Sequence, residues 1–169
     1  MSESEKVYSA AESEPQPTIV IVDDEEMVLT SLSAYLTLET DYNVVTFTDV
    51  DEALAYLEEH PVDVVVSDYL MPKMDGIKFL AKAKELQPET SRVLLTGHAD
   101  KQSAIEAINK VGLFQYIEKP WDNAALLLVI RNACDRTRLL RSLQSKIQQL
   151  DEAHANLKSA QSQLIRAFL

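Results

Sequence analysis

Glycine is scarce in this chain. Three glycines in 169 residues argue against a loop-rich all-β fold. Cysteine is scarcer still: the single Cys134 excludes an intramolecular disulfide framework. It falls on a predicted helix, where a free thiol packs as a small inert hydrophobe. No apolar run approaches the length of a membrane span. Residues 1–17 are rich in Ser, Glu and Pro and hold no apolar targeting core, so they are no secretory signal and are expected to be disordered. Together these absences point to a cytoplasmic protein. Basic residues are few as well: 16 Lys and Arg face 27 Asp and Glu, a net charge of −11. The deficit is uneven. Residues 18–135 carry 21 acids and nine bases, a net −12, whereas residues 136–169 carry two acids and six bases, a net +4. The first part would repel a phosphate backbone, which argues against direct nucleic-acid binding by it. The scattered bases of the second suit a solvated helix face.

What is present is organised around Val62 to Gly76. The valine-rich run Val62–Ser67 predicts a strand buried on both faces. It ends in Asp68, an unusual residue for the end of a core strand. Pro72 then marks a loop, and Gly76 suits a backbone position that other residues would resist. A helix follows, with Ile77, Phe79, Leu80, Ala83 and Leu86 as its inward stripe.

The same alternation recurs along the chain. Thr18–Val22 is a β-branched strand ending in Asp23 and Asp24. A helix is predicted from Glu25 to Leu38, with Val28, Leu29, Leu32, Tyr35 and Leu36 inward. Asn43–Phe47 is a second strand, and Asp49 or Asp51 caps the next helix, which stops before Pro61. Arg92–Thr96 is a fourth strand. A helix from Lys101 to Lys110 turns Ala104, Ile105, Ala107 and Ile108 to one side and stops at Gly112. Phe114–Ile117 is a fifth strand, followed by Glu118-Lys119-Pro120-Trp121. Asp122-Asn123 opens a last helix against which Trp121 packs. Five βα repeats predict an α/β fold: a doubly wound, five-stranded parallel sheet of flavodoxin-like type, with a long C-terminal helix.

Parallel strands bring their carboxyl ends to one edge, where open α/β sheets bind ligands. That edge receives Asp23, Asp24, Asp68, Thr96 and Lys119. Close carboxylates repel one another, and a hard divalent cation among them removes the penalty. Mg²⁺ suits such oxygen ligands. A carboxylate is also a nucleophile toward phosphorus, giving an aspartyl phosphate. The lysine would then neutralise charge on the phosphoryl oxygens, and Thr96 would donate to one of them. Singly, each residue has a plainer explanation as a helix cap, a turn or a core aromatic.

The spacing Asp68-x-x-Met71-Pro72-x-Met74-Asp75-Gly76 resembles the phosphorylation loop of response-regulator receiver domains of two-component signalling. With the other motifs, the resemblance covers residues 18–135. It implies Asp68 as phosphoacceptor, phosphorylated by a sensor histidine kinase or phosphotransfer protein. It implies Mg²⁺ held by Asp24 directly, by Asp23 through water, by Asp68 and by the backbone carbonyl of Leu70. Thr96 and Tyr116 match the switch pair, and Lys119 the lysine before a proline. Lys119-Pro120-Trp121 is shared with some receivers attached to output or phosphodiesterase domains. His98 is expected to be an exposed loop residue or to tune water access to the phosphate. Haloacid-dehalogenase-like phosphatases also use Asp, Thr or Ser, Lys and a metal. Their second Asp follows the nucleophile by two residues, where this chain has Leu70. The order argues against a turnover enzyme, leaving self-phosphorylation and autodephosphorylation.

From Asp122 to Leu169 there is neither proline nor glycine. Leu143, Leu150, Leu157 and Leu164 recur every seventh residue. Leu140, Ile147, His154, Gln161 and Phe168 supply the paired set, so residues 136–169 read as a heptad coiled coil. No single domain buries a stripe of that length, and the expectation is a homodimer whose tail leads to an absent output domain. A solvated single helix is the plainer alternative. The chain stops in mid-heptad without a cap, as a fragment would. A phosphorylation-independent dimerisation scaffold remains the alternative to a relay.

Overall fold

The computed structural model describes residues 14–169. The β-branched runs form five strands: β1 Thr18–Val22, β2 Asn43–Phe47, β3 Val64–Asp68, β4 Ser91–Thr96 and β5 Gln115–Glu118. Helices α1 Glu26–Glu39, α2 Val50–Glu59, α3 Gly76–Leu86, α4 Lys101–Val111 and α5 Asn123–Phe168 alternate with them. All strand pairs are parallel, in the order β2-β1-β3-β4-β5. The doubly wound sheet and the long final helix form as predicted.

β3 lies at the centre and is buried throughout, as a strand covered on both faces must be. Alternate side chains feed two cores. Val65 packs with Val20, Val22, Phe79, Leu80 and Leu94 on the side of α2, α3 and α4. Val64 and Val66 pack with Ile19, Ile21, Leu32, Leu36 and Ile130 on the side of α1 and α5. Carboxylates cap α2, α3 and α5. Asp49 accepts from Asp51 N–H, Asp75 from Lys78 N–H and Asp122 from Ala124 N–H. Gly112 adopts the left-handed conformation (φ 66°) that ends α4. Trp121 packs at the edge of the α1–α5 core, and Cys134 is buried, its thiol pushed up to about 12 chiefly by that burial.

Some predicted faces differ. Ile105 is 41% and Leu86 39% exposed, although both were expected inward. α4 covers the sheet with the buried Ala104, Ala107 and Val111 and the half-buried Ile108, and Ile105 stands about 100° round the helix from Ala104. Leu86 ends α3 past the core. β5 begins one residue later than predicted, although Phe114 N–H still donates to the Arg92 carbonyl (2.8 Å). Residues 14–17 were expected to be disordered but are held. Pro17 O accepts from Asn43 N–H (2.8 Å), and Arg138 binds the Glu14 carboxylate (2.9 Å) and the Pro15 carbonyl. The rest of that expectation, residues 1–13, lies outside the described residues.

α5 runs from the site edge of the sheet to the opposite pole without a break at residue 136. There Asp63 gathers it. Thr137 Oγ1 donates to the Asp63 carbonyl (2.6 Å), while Arg141 Nη1 and Arg138 Nε lie 3.3 and 3.6 Å from Asp63 Oδ1. Beyond Arg141 every residue of the helix is exposed.

Gly76 shows how tightly the sheet and α3 meet. A Cβ there would stand 2.1 Å from the Asp68 carbonyl oxygen and 2.9 Å from Leu94 Cδ1. Gly76→Ala should therefore cost at least about 2 kcal/mol in chemical denaturation, because the clash is with backbone. An unchanged denaturation midpoint would mean that the start of α3 can leave Asp68 freely.

Candidate functional site

Strand register assembles the site. Val22 pairs with Ser67, and Asp68 with Leu95. Asp23 and Asp68, each at the end of its strand run, thus stand side by side, with Thr96 one step beyond on β4. Thr96 pairs with Glu118, which delivers Lys119 from the other side. The carboxylates of Asp23, Asp24 and Asp68 each place an oxygen within 4.8 Å of the others. Lys119 Nζ lies 2.8 Å from Asp68 Oδ1 and 3.7 Å from Asp23 Oδ2. Asp23 and Asp68 are buried, whereas Asp24 is exposed. The group borders an open cleft of about 290 Å³, which Leu70, Gly97 and Asp100 also line.

Each side chain is held locally. Asp23 Oδ1 accepts from Glu25 N–H (2.9 Å), and Asp68 Oδ1 from Tyr69 N–H (3.0 Å). Tyr69 N–H is also bonded to the Leu95 carbonyl (2.9 Å), and Gly76 N–H to the Tyr69 carbonyl (2.8 Å). These bonds tie the loop after Asp68 at both ends. Asp23 Oδ2 is buried with no hydrogen-bond donor. Burial pushes the Asp23 carboxyl up from 3.8 to about 6; the Glu25 N–H and Lys119 oppose the rise, while the charges of Asp68 and Asp24 add to it. For Lys119, burial works against the charged form, but the hydrogen bond and charge of Asp68, with Asp23 and Glu25 behind it, hold its pKa above the ordinary value. An orphaned buried carboxylate oxygen among three acids is the environment that a hard cation relieves. The residues fit such an ion.

The buried Thr96 hydroxyl donates to the Gly97 carbonyl (3.2 Å), so binding a group on Asp68 would require it to change partner. Tyr116 is half-buried against the α2–α4 core, on the flank of the sheet that faces α4. His98, 88% exposed in its side chain, sits 2.7 Å from Glu118 Oε1, and Lys101 approaches the other oxygen at 3.7 Å. The hydrogen bond to His98, helped by Lys101, holds the Glu118 carboxyl below its usual range. That contact lies between two strand ends and has no signature in the sequence. Nor does Lys73, whose ammonium meets Asp49 (2.7 Å) and Asp51 (3.2 Å) at the start of α2. The heptad residues stand apart from the site: Leu140 is half-buried against the domain, and Leu143, Ile147, Leu150, Leu157 and Leu164 are exposed along α5.

A family model, the response regulator receiver domain, matches residues 19–131. This chain belongs to that family. The receiver is similar to the hydrogenase transcriptional regulatory protein HoxA of Cupriavidus necator, at 34% identity over 82% of this chain and 28% of that protein. It is also 34% identical to a putative NtrX-like response regulator of Rickettsia bellii, over 76% of this chain and 28% of that one. Among solved structures, the adenylate cyclase from Rhodopirellula baltica aligns with a TM-score of 0.75 at 28% identity, covering 79% of this chain and 98% of that one. The signal receiver domain of an HD domain-containing protein from Pseudomonas fluorescens aligns with a TM-score of 0.70 at 35% identity, covering 75% and 93%. The chain thus spans under a third of the length of these curated relatives. No helix among the described residues is long and apolar enough to cross a membrane.

The raised Asp23 carboxyl carries a linkage. An acid whose folded pKa lies above its unfolded value binds its proton more tightly when folded. The metal-free receiver should therefore lose stability as pH rises from about 4 through 6. Asp23→Asn, which keeps the acceptor for Glu25 N–H, should stabilise the metal-free protein at pH 7 by about 1–3 kcal/mol, with the gap closing near pH 4. Mg²⁺ should raise the melting temperature of the wild type more than that of the variant. Denaturation curves across pH, with and without Mg²⁺, measure both. A variant less stable than wild type at pH 7 would contradict this account.

Proposed function

We propose that this two-component receiver takes a phosphoryl group onto Asp68 from a histidine kinase or phosphotransfer protein. The observation that carries the reading is the Asp68 carboxylate, set among two further acids and 2.8 Å from Lys119. Asp23, Asp24, Asp68 and the Leu70 carbonyl would hold Mg²⁺, which supplies neutralising charge for the phosphoryl oxygens when bound. A carboxylate oxygen of Asp68 attacks phosphorus and forms the new P–O bond. The bond from phosphorus to the donor's leaving atom breaks, and its electron pair leaves with the donor. Lys119 turns from Asp68 to an oxygen of the arriving group, and Thr96 exchanges the Gly97 carbonyl for another. The chemistry is the gain and loss of the chain's own phosphoryl group, in the cytoplasm, with no external substrate turned over.

Output runs through α5 in this reading. β4 joins Thr96 at the site to Ser91 at the far pole. Ser91 Oγ donates to the Ala133 carbonyl (2.9 Å), Ser91 N–H donates to Thr137 Oγ1 (3.0 Å), and Arg136 Nη1 lies 3.2 Å from Ser91 Oγ. Arg136 belongs to the row Val129, Arg136, Leu143, Leu150, Leu157, Leu164, which carries one face of the domain onto the free helix. A second copy of that helix would cover the row, giving a parallel homodimer. Movement of Thr96 and Tyr116 would alter the surface formed by α4, β5 and α5, and with it the packing of the dimer.

Two measurements test the reading. Incubation with acetyl phosphate and Mg²⁺ should add one phosphoryl mass to the wild type and none to Asp68→Asn. A gain that survives the substitution would refute Asp68 as acceptor. Truncation after Arg141 removes only exposed helix, so the shortened chain should still take the phosphoryl group but sediment as a monomer where the full chain sediments as a dimer. A full chain that stays monomeric at tens of micromolar, phosphorylated or not, would remove the coiled coil.

A further inference from the structure

The segment from Leu70 to Met74 would offer the Leu70 carbonyl to a cation; Met71 and Met74 pack, half-buried, against the α2–α4 core, whereas Leu70, Pro72 and Lys73 are exposed. Asp68, Tyr69 and Gly76 fix its ends through backbone bonds. Pro72 has no N–H, and the Leu70 side chain is 63% exposed. Ser67 Oγ donates to the Asp68 carbonyl (2.9 Å) and within the segment reaches only the Met71 sulfur, at 4.0 Å. Beneath the loop, between Met71–Lys73 and Thr48–Val50, lies a cavity of about 90 Å³, so packing alone leaves it room to shift. Among the described residues, only Lys73 carries this segment by hydrogen bonds to a helix. Its ammonium meets Asp49 Oδ2 at 2.7 Å and Asp51 Oδ2 at 3.2 Å. Asp49 is itself fixed, because its other oxygen caps α2 through Asp51 N–H (2.8 Å).

We propose that Lys73 is a positioning residue of the metal site: by bridging to Asp49 and Asp51 it holds the Leu70 carbonyl in place. The inference rests on the metal reading above. Lys73 touches neither the cation nor the phosphoryl group and acts only through the loop. Because the bridge is exposed, its effect is modest and falls with salt.

The test is a Mg²⁺ titration of the full chain at low ionic strength. Binding is followed by the fluorescence of Trp121, the one tryptophan, which borders a hollow shared with Lys119, and by the Mg²⁺-induced rise in melting temperature. Lys73→Gln should weaken Mg²⁺ binding about two- to five-fold while leaving the metal-free melting temperature unchanged. Lys73→Arg should restore binding. Asp49→Asn, which keeps the cap, should reproduce the loss, and the double variant should be no worse than either single one. Wild-type affinity in Lys73→Gln overturns the proposal, as does a loss accompanied by a fall in metal-free melting temperature, which would make Lys73 merely structural. A wild type that gives neither signal with Mg²⁺ would instead overturn the metal site, and this inference with it.

Discussion

Three carboxylates held within 4.8 Å of one another, two of them buried, are the constraint on which the rest of this receiver depends. Asp23 is shut off from water, and among the described residues only Lys119 makes an ion pair with Asp23 or Asp68. That arrangement costs stability. It persists because two apolar cores clamp the strands from both faces and leave the strand ends no freedom to separate. The same imbalance gives the site its chemistry. It favours cationic charge beside the acids and holds the Lys119 pKa above its ordinary value.

The two ends of α5 face different worlds. Its first turn, capped by Asp122, begins four residues after Lys119. Eighteen residues on, Arg141 donates to the Val62 carbonyl (2.6 Å) and pairs with Asp63 at the opposite pole. The free part of the helix therefore leaves from the side away from the acidic cleft. Between the two, β4 runs from Thr96 at the site to Ser91, which is hydrogen-bonded to Ala133 and Thr137 of α5. Charge follows the same division: the acidic net of residues 18–135 gives way to a basic net beyond them.

Much of this was legible in the sequence. Every strand and α-helix was placed to within a few residues, since valine-rich runs, capping carboxylates and the Gly112 stop are local signals. The acidic pair, Asp68, Thr96 and Lys119 could be assigned to one edge by topology alone. Missed were contacts made by exposed or irregular segments: Glu14–Arg138, Lys73–Asp49, His98–Glu118 and the Asp63 junction. Each joins residues at least 20 positions apart through long flexible side chains, and no periodicity reports such pairs. The inward assignments of Ile105 and Leu86 failed for a related reason. A helical stripe shows which face is apolar, but not how much of it the neighbouring sheet is wide enough to cover.

By itself, then, the order of residues determined the βα alternation, the parallel sheet and the kinds of group that meet at its carboxyl edge, because hydrophobic period and capping chemistry act over a few residues. The tertiary structure alone decided the geometry that makes those groups a site: the 2.8 Å approach of Lys119 to Asp68, the orphaned oxygen of Asp23, the backbone approach that admits only glycine at 76, and the last turn at which α5 lets go of the domain. These depend on strand register and on how far two cores compress the sheet, and such quantities are properties of the packed whole.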